Sequence, residues 1–201
     1  MPGDSIKFEL IVGLGNPDSE YEQTRHNAGF WFVDQLASQL GATFSPDKKS
    51  HSMVAKAMVN DRAVYLLKPY NYMNNSGQGY AAISRFYKIE HEKILVAHDE
   101  LDLPPGLVKI KKGGGHGGHN GLRDIFAKTG QRNFWRLRIG IGHPGDKNAV
   151  SGYVLKRASS DDQRLIDEAL DISLREANTI IDGDINVATK TLHSHKPSEQ
   201  Q

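Results

Sequence analysis

Five polar side chains in this 201-residue chain carry the types and placement that acid–base chemistry on a carbonyl would require. His26 falls at the expected start of a helix, and Asp99 follows a short apolar run, at the expected carboxyl end of a strand. A histidine at a helix N-terminus is biased toward its neutral form by the helix dipole, the form a general base needs. A carboxylate accepting its other N–H fixes the tautomer and supports the imidazolium formed on proton transfer. Asn16, Asn74 and Asn120 add neutral donors and acceptors suited to peptide groups or a developing oxyanion. Taken singly, each has a plainer reading: an asparagine at a helix start is commonly a cap, and the neighbouring His98 a core histidine.

The second unusual feature is Lys112 to Leu122, where six of eleven residues are glycine and the polar tips are His116, His119 and Asn120. Glycine at this density cannot build a core; it suits backbone that turns sharply or approaches a ligand. Leu122, Ile125 and Phe126 recur at helical spacing, so the loop is expected to run into a helix N-terminus, a favourable place for an anion. The net charge is only +1. Residues 109 to 147, however, hold nine basic side chains against two acidic ones, a balance of +7, which leaves −6 for the rest. That asymmetry marks a localised polyanion site around the loop.

Several chemistries are excluded or disfavoured. The chain has no cysteine, which removes disulfides, thiolate nucleophiles and cysteine-ligated zinc. Gly13-x-Gly15 lacks the third glycine of a dinucleotide fingerprint, since position 18 is Asp18, and the glycine loop lacks the trailing Gly-Lys-Ser/Thr of a P-loop. There is no G-x-S-x-G elbow. His26, His98, Asp99, His116, His119 and His143 could supply metal ligands, but no tight spacing such as HExxH is present, so neither a metal nor a cofactor is expected. No apolar run reaches the roughly 20 residues of a membrane span, and no signal peptide is evident, so a cytoplasmic address is expected.

The elements that must position these residues read as follows. Phe8 to Leu14 is a buried strand, and a helix capped by Asn27 carries Phe30, Val33, Leu36, Ala37 and Leu40 as far as Gly41. Ser52 to Val59 and Ala63 to Leu67 form a hairpin, and a helix spans Ser76 to Tyr87. Ile94 to Ala97 is a strand buried on both faces, Val108 to Lys112 another, and Phe134 to Gly142 alternates with Arg136 and Arg138 on one face. A capping box at Ser160 and Gln163 opens one long helix that runs to Gly183, followed by a short helix from Asp184 to Leu192. Residues 1 to 5 read as a frayed leader and 194–201 as a disordered tail, leaving residues 1–193 as one α/β domain on a twisted mixed β-sheet flanked by helices. In such sheets the ligand crevice lies beyond the carboxyl ends of the strands.

The motifs now resemble a known family. Leu10 to Pro17, Tyr21 and Thr24-Arg25-His26-Asn27-Ala28-Gly29 resemble the opening signature of bacterial peptidyl-tRNA hydrolases. Tyr72 to Gly77, His98 to Leu103, Gly113 to Leu122 and Arg136 to Pro144 resemble its later blocks in order, so the likeness covers nearly the whole chain. The resemblance implies hydrolysis of the ester between a peptide and the 3′ end of tRNA, freeing tRNA after ribosomal drop-off, without metal, cofactor or covalent intermediate. It implies that His26 activates water and Asp99 orients His26. It places Asn16, Tyr21, Met73, Asn74, Gly117, His119 and Asn120 on the substrate, and Lys109, Lys111 and Arg138 on the tRNA acceptor end. The partner is then peptidyl-tRNA, the protein a monomer. A plastid branch that serves splicing supplies the alternative, a noncatalytic RNA-binding module. Two positions depart from the pattern: Asp18 stands where glycine is usual, and Asn71 where threonine is common.

Overall fold

The computed structural model describes residues 6–198, so the expected leader at residues 1 to 5 and the last three residues of the expected tail lie outside the described residues. The chain runs through β1 (Leu10–Gly13), α1 (Ala28–Gln39), β2 (Ser45–Asp47), β3 (Ser52–Val59), β4 (Arg62–Pro69) and α2 (Ser76–Phe86). It continues with β5 (Ile94–Glu100), β6 (Val108–Lys112), α3 (Asn120–Thr129), β7 (Trp135–Gly140), α4 (Val150–Val154), α5 (Ser160–Arg175), α6 (Ala177–Ile181) and α7 (Ile185–Ser194). The seven strands form one mixed sheet in the order β2-β3-β4-β1-β5-β7-β6. Strands β4, β1, β5 and β7 are mutually parallel, whereas β2, β3 and β6 add antiparallel edges.

The two central strands explain the apolar runs. β1 is buried along its whole length and β5 through Asp99, because helices cover both faces. One face packs Ile11, Leu66, Leu95, Ala97, Leu137 and Ile139 against α1, α5, α6 and α7. The other packs Leu10, Val12, Ile94, Val96 and Phe134 against Tyr80 and Ile83 of α2 and Leu122 and Ile125 of α3. Parallel order brings the carboxyl ends of β1, β4, β5 and β7 to one edge, where the crevice of an open α/β sheet forms.

Helix α1 approaches that edge unusually closely. A Cβ on Gly29 would lie 2.6 Å from the Leu14 amide nitrogen, and one on Gly13 would lie 2.5 Å from Val33 Cγ2. Glycine at both places is therefore a steric requirement. It lets the start of α1, and with it His26, settle against the end of the sheet.

The structure alters the expected boundaries in five places. β5 extends through Glu100, so the strand is longer than its apolar run Ile94 to Ala97 and includes His98 and Asp99 at its carboxyl end. A short edge strand, β2, pairs with β3; its sequence Ser45-Pro46-Asp47 carries no strand signal. Asn27 flanks α1 but makes no side-chain cap bond there. The cap of α5 is Ser159, whose hydroxyl accepts from the Asp162 amide, in place of Ser160. The long C-terminal helix breaks at Glu176 into α5 and α6, and its apolar spacing hides the break because both pieces pack on the same core.

The start of the expected tail makes contacts with the domain. Helix α7 reaches Ser194, and Ser198 donates to Glu168 through its amide (3.0 Å) and hydroxyl (2.8 Å). His193 Nε2 accepts from the Ile110 amide at 3.0 Å, giving a partner to backbone on the edge strand β6.

Candidate active site

A cleft of about 760 Å³ opens at the carboxyl edge of the sheet. Its lining includes Asn16, Tyr21, His26, Met73, Asn74, Asp99, Gly117, His119 and Asn120, and on one flank Lys111 and Arg138. Of the residues expected at the site only Lys109 does not line it. Lys109 pairs across the ladder with Arg138, and Lys111 with Arg136, so all four side chains share one face of the β6–β7 ribbon. Lys111, Arg136 and Arg138 border the cleft, and Lys109 carries the strip beyond it.

Asp99 is the hub. It is 3% exposed, and its two oxygens are used by different imidazoles: Oδ2 by His26 Nδ1 and Oδ1 by His119 Nε2, each at 2.8 Å. The tautomers follow from the remaining nitrogens. His119 Nδ1 accepts from the Gly121 amide at 3.1 Å and the Leu122 amide at 3.4 Å as the cap of α3, so its proton is on Nε2 and is donated to Asp99. His26 donates Nδ1–H to the same carboxylate, which leaves its Nε2 lone pair for the cleft.

Burial alone would push the Asp99 carboxyl up, but the charge and hydrogen bonds of His26 and His119 outweigh it and hold the group well below the usual carboxylate range. For His26, burial opposes the imidazolium, and the adjacent Asp99 more than compensates, so its pKa is raised. The direction is opposite to the neutral bias expected from a helix N-terminus, and its cause is the carboxylate at 2.8 Å. His98 behaves differently. Burial first, and then the neighbouring His119, lower its pKa to about 4, and its Nδ1 is tied to the Asp99 carbonyl oxygen at 2.8 Å. It is a neutral core histidine.

The asparagines arrive on separate loops. Asn16 follows β1; its Oδ1 accepts from the Met73 amide at 2.7 Å, which leaves its Nδ2 hydrogens for the cleft. Its backbone is clamped by the Asn27 amide, which accepts from Asn16 N (2.8 Å) and donates to Asn16 O (3.0 Å). Asn27 was expected only as a cap; its position eleven residues from Asn16 gives no sequence signal of this clamp. Asn74, in the short 3-10 turn after β4, is exposed and makes no side-chain bond within the described residues. Asn120, the first residue of α3, is exposed and accepts weakly from Arg123 at 3.3 Å.

The glycine loop has a geometric task. Because β6 runs antiparallel to β7, the chain leaves β6 opposite Trp135, far from Asp99, and must return along the sheet face to place His119. Gly113, Gly114, Gly117 and Gly118 all have positive φ, which a side chain would strain. Arg136 holds the first part of the path, donating to the carbonyls of Gly114 and Gly115. Arg136 is 4% exposed and lies over Phe126 and Phe134, so this member of the basic segment is a structural tether, not a surface cation. Arg138 keeps one edge outward while its Nε donates to Glu100 at 2.7 Å.

His119 lines the cleft as expected and also reaches Asp99. Both its ring nitrogens are engaged among the described residues. The departures at positions 18 and 71 are accommodated locally. Asp18 has φ of 72°, a conformation that glycine adopts readily, and accepts from the Tyr72 hydroxyl at 2.7 Å. Asn71 donates to Gln78 at 2.9 Å. The side-chain atoms of His26, Asp99 and His119 that could ligate a metal lie within 4.8 Å of one another, and both carboxylate oxygens are hydrogen-bonded to the imidazoles.

Comparison with known proteins identifies the family and agrees with the fold. The chain matches the peptidyl-tRNA hydrolase family model over residues 10–200. It is 56% identical over 190 residues to a peptidyl-tRNA hydrolase of Neisseria gonorrhoeae, covering 94% of this chain and 99% of that one. It is 51% identical over 194 residues to one of Idiomarina loihiensis, covering 96% and 98%. The crystal structure of the Acinetobacter baumannii peptidyl-tRNA hydrolase superimposes with a TM-score of 0.93 at 50% identity, over 98% of this chain and 100% of that chain. No helix among the described residues is long and apolar enough to cross a membrane. A mixed-sheet α/β chain with this cleft and these relatives belongs to the peptidyl-tRNA hydrolase family, hydrolases acting on ester bonds.

Proposed function

We propose that the chain cleaves the ester joining a peptide, or an N-blocked amino acid, to the 3′ oxygen of tRNA by direct attack of water. Nε2 of His26 takes a proton from the water as its oxygen bonds to the ester carbonyl carbon. The resulting oxyanion receives hydrogen bonds from Asn16 Nδ2 and from the amides of Asn74 and Asn120. Collapse breaks the bond to the ribose 3′ oxygen, and the proton held by His26 passes to that oxygen, restoring the base. Asp99 stays anionic throughout: it fixes the His26 tautomer and stabilises the transient imidazolium. His119 donates to the second carboxylate oxygen and keeps Asp99 from rotating away.

The observation that carries this reading is the buried His26–Asp99–His119 chain, with His26 Nε2 unengaged among the described residues in a cleft that Asn16, Asn74 and Asn120 line. Tyr21, Met73 and Gly117 line the peptide side, and Lys111 and Arg138, with Lys109 beyond, receive the phosphates of the acceptor end. In this reading released tRNA re-enters translation, and the enzyme works in the cytoplasm. The intact triad supports turnover over mere RNA binding. The test is hydrolysis of an N-acetylated aminoacyl-tRNA with the free-amine form as control. Rapid cleavage of the blocked form alone is expected; tight tRNA binding without cleavage of either contradicts the reading.

A further inference from the structure

We propose that Asp124 and Gly77 form a positioning pair, outside the cleft, that sets the separation between Asn74 and Asn120. The inference rests on the reading of those two asparagines as substrate holders. Helix α2 begins directly after the turn that carries Asn74, and its flanking residue Asn75 makes no side-chain cap bond. Nor does the Ser76 hydroxyl serve its amides, since it donates to the Met73 carbonyl at 2.7 Å. A helix leaves its first four N–H groups without intrahelical partners, so a bond must come from elsewhere. It comes from α3: Asp124 Oδ2 accepts from the Gly77 amide at 2.8 Å, with 12% of the Asp124 side chain exposed. The other carboxylate oxygen lies 3.6 Å from Lys128 Nζ.

The spacing gives this bond its consequence. Asp124 is four residues after Asn120 and therefore one turn along the same helix face. Gly77 is three residues after Asn74. One charge-assisted hydrogen bond thus links the two helix starts that present the two amides. Gly77 has to be glycine for the helices to come this close. A Cβ there would stand 2.7 Å from the Asp124 carbonyl carbon and 2.8 Å from the carboxylate oxygen. A second close approach lies beside it: a Cβ on Gly121 would come within 2.7 Å of the Met73 sulfur. Neither Gly77 nor Asp124 lines the cleft.

The experiment compares Gly77→Ala, Asp124→Ala, Asp124→Asn, Asn74→Ala and Asn120→Ala in steady-state cleavage of N-acetylated aminoacyl-tRNA, well below each Tm. Ile180→Val, which trims buried Ile180 of α6, serves as a stability control. Displacement of a positioned group by about 1 Å is worth up to about a hundredfold in rate, so Gly77→Ala and Asp124→Ala are expected to lower kcat/KM about 10- to 100-fold. Asp124→Asn, whose amide oxygen still accepts from Gly77, is expected to stay within about threefold of the parent enzyme. In an Asn120→Ala background, Asp124→Ala should add less than about threefold, whereas a general folding defect would multiply through. If both asparagine variants lose activity while Gly77→Ala and Asp124→Ala remain at parent values, the positioning role is wrong. It is equally overturned if Asp124→Asn is as impaired as Asp124→Ala. If Asn74→Ala and Asn120→Ala are themselves fully active, the substrate-holding reading falls, and the pair with it. Should Gly77→Ala fail to fold, the two Asp124 variants decide.

Discussion

The cleft and the β6–β7 ribbon use polar side chains in opposite ways. In the cleft, Asp99 is buried and every hydrogen-bonding atom of its carboxylate is committed, so its charge is spent on two imidazoles within 2.8 Å. On the ribbon, Lys109 and Lys111 stand on an edge strand beside Arg138, partly or fully exposed, and act on whatever arrives from solvent. The first arrangement fixes geometry and protonation and is insensitive to salt; the second attracts charge at a distance and is screened. Chemistry and affinity should accordingly separate under mutation.

The sharpest separation is expected at Asp99. Asp99→Asn keeps the shape but removes the charge that supports the His26 imidazolium, so kcat should fall by about 10²- to 10⁴-fold while tRNA Kd changes little. Affinity lost in parallel with rate would break the distinction between the two regions. His119→Ala comes next. It leaves His26 in place but frees one Asp99 oxygen, and a kcat loss of about tenfold is expected from one lost charge-assisted bond. An unchanged rate would show that one imidazole suffices to hold Asp99.

On the ribbon, Lys111→Ala and Arg138→Ala should raise KM with kcat preserved and reduce the log–log salt slope of binding by about one each. Asp99→Asn should leave that slope alone. The smallest effect is expected at the mouth of the cleft. Tyr72→Phe removes an exposed bond to Asp18 and should alter KM by no more than about twofold.

The pH profile distinguishes the regions in another way. Because Asp99 raises the His26 pKa, and the base must be unprotonated to act, kcat/KM should climb with pH through a value above that of an ordinary histidine. The sign is fixed: protonated His26 is favoured in the fold below that pKa, so acid removes activity while the His26–Asp99 pair itself is strengthened. Asp99→Asn should move the limb to lower pH.

The strands other than β2, the hairpin and the loops bearing Asn16, Asn74 and Asn120 were legible because alternation, apolar runs and glycine or asparagine punctuation are local signals. His26 and Asp99 could be paired from the sequence because both fall at element ends that an α/β sheet gathers at one edge. What local signals do not carry is who receives each hydrogen bond. Asn27 looks like a cap and instead clamps Asn16; His119, which lines the cleft, also bonds to Asp99, twenty residues away in the chain. Arg136 shares its strand face with Arg138, yet the returning glycine loop covers it and takes its donors. Each of these is decided by segments eleven to twenty-two residues apart in the chain, or by the antiparallel turn of β6 that sends the loop back across the sheet.

Single-turnover cleavage of N-acetylated aminoacyl-tRNA by His26→Ala, with tRNA Kd measured separately, addresses the central claim most directly. If His26 Nε2 is the base, the rate falls by at least about 10²-fold and Kd stays within about twofold. A variant that cleaves at the parent rate would contradict the assignment.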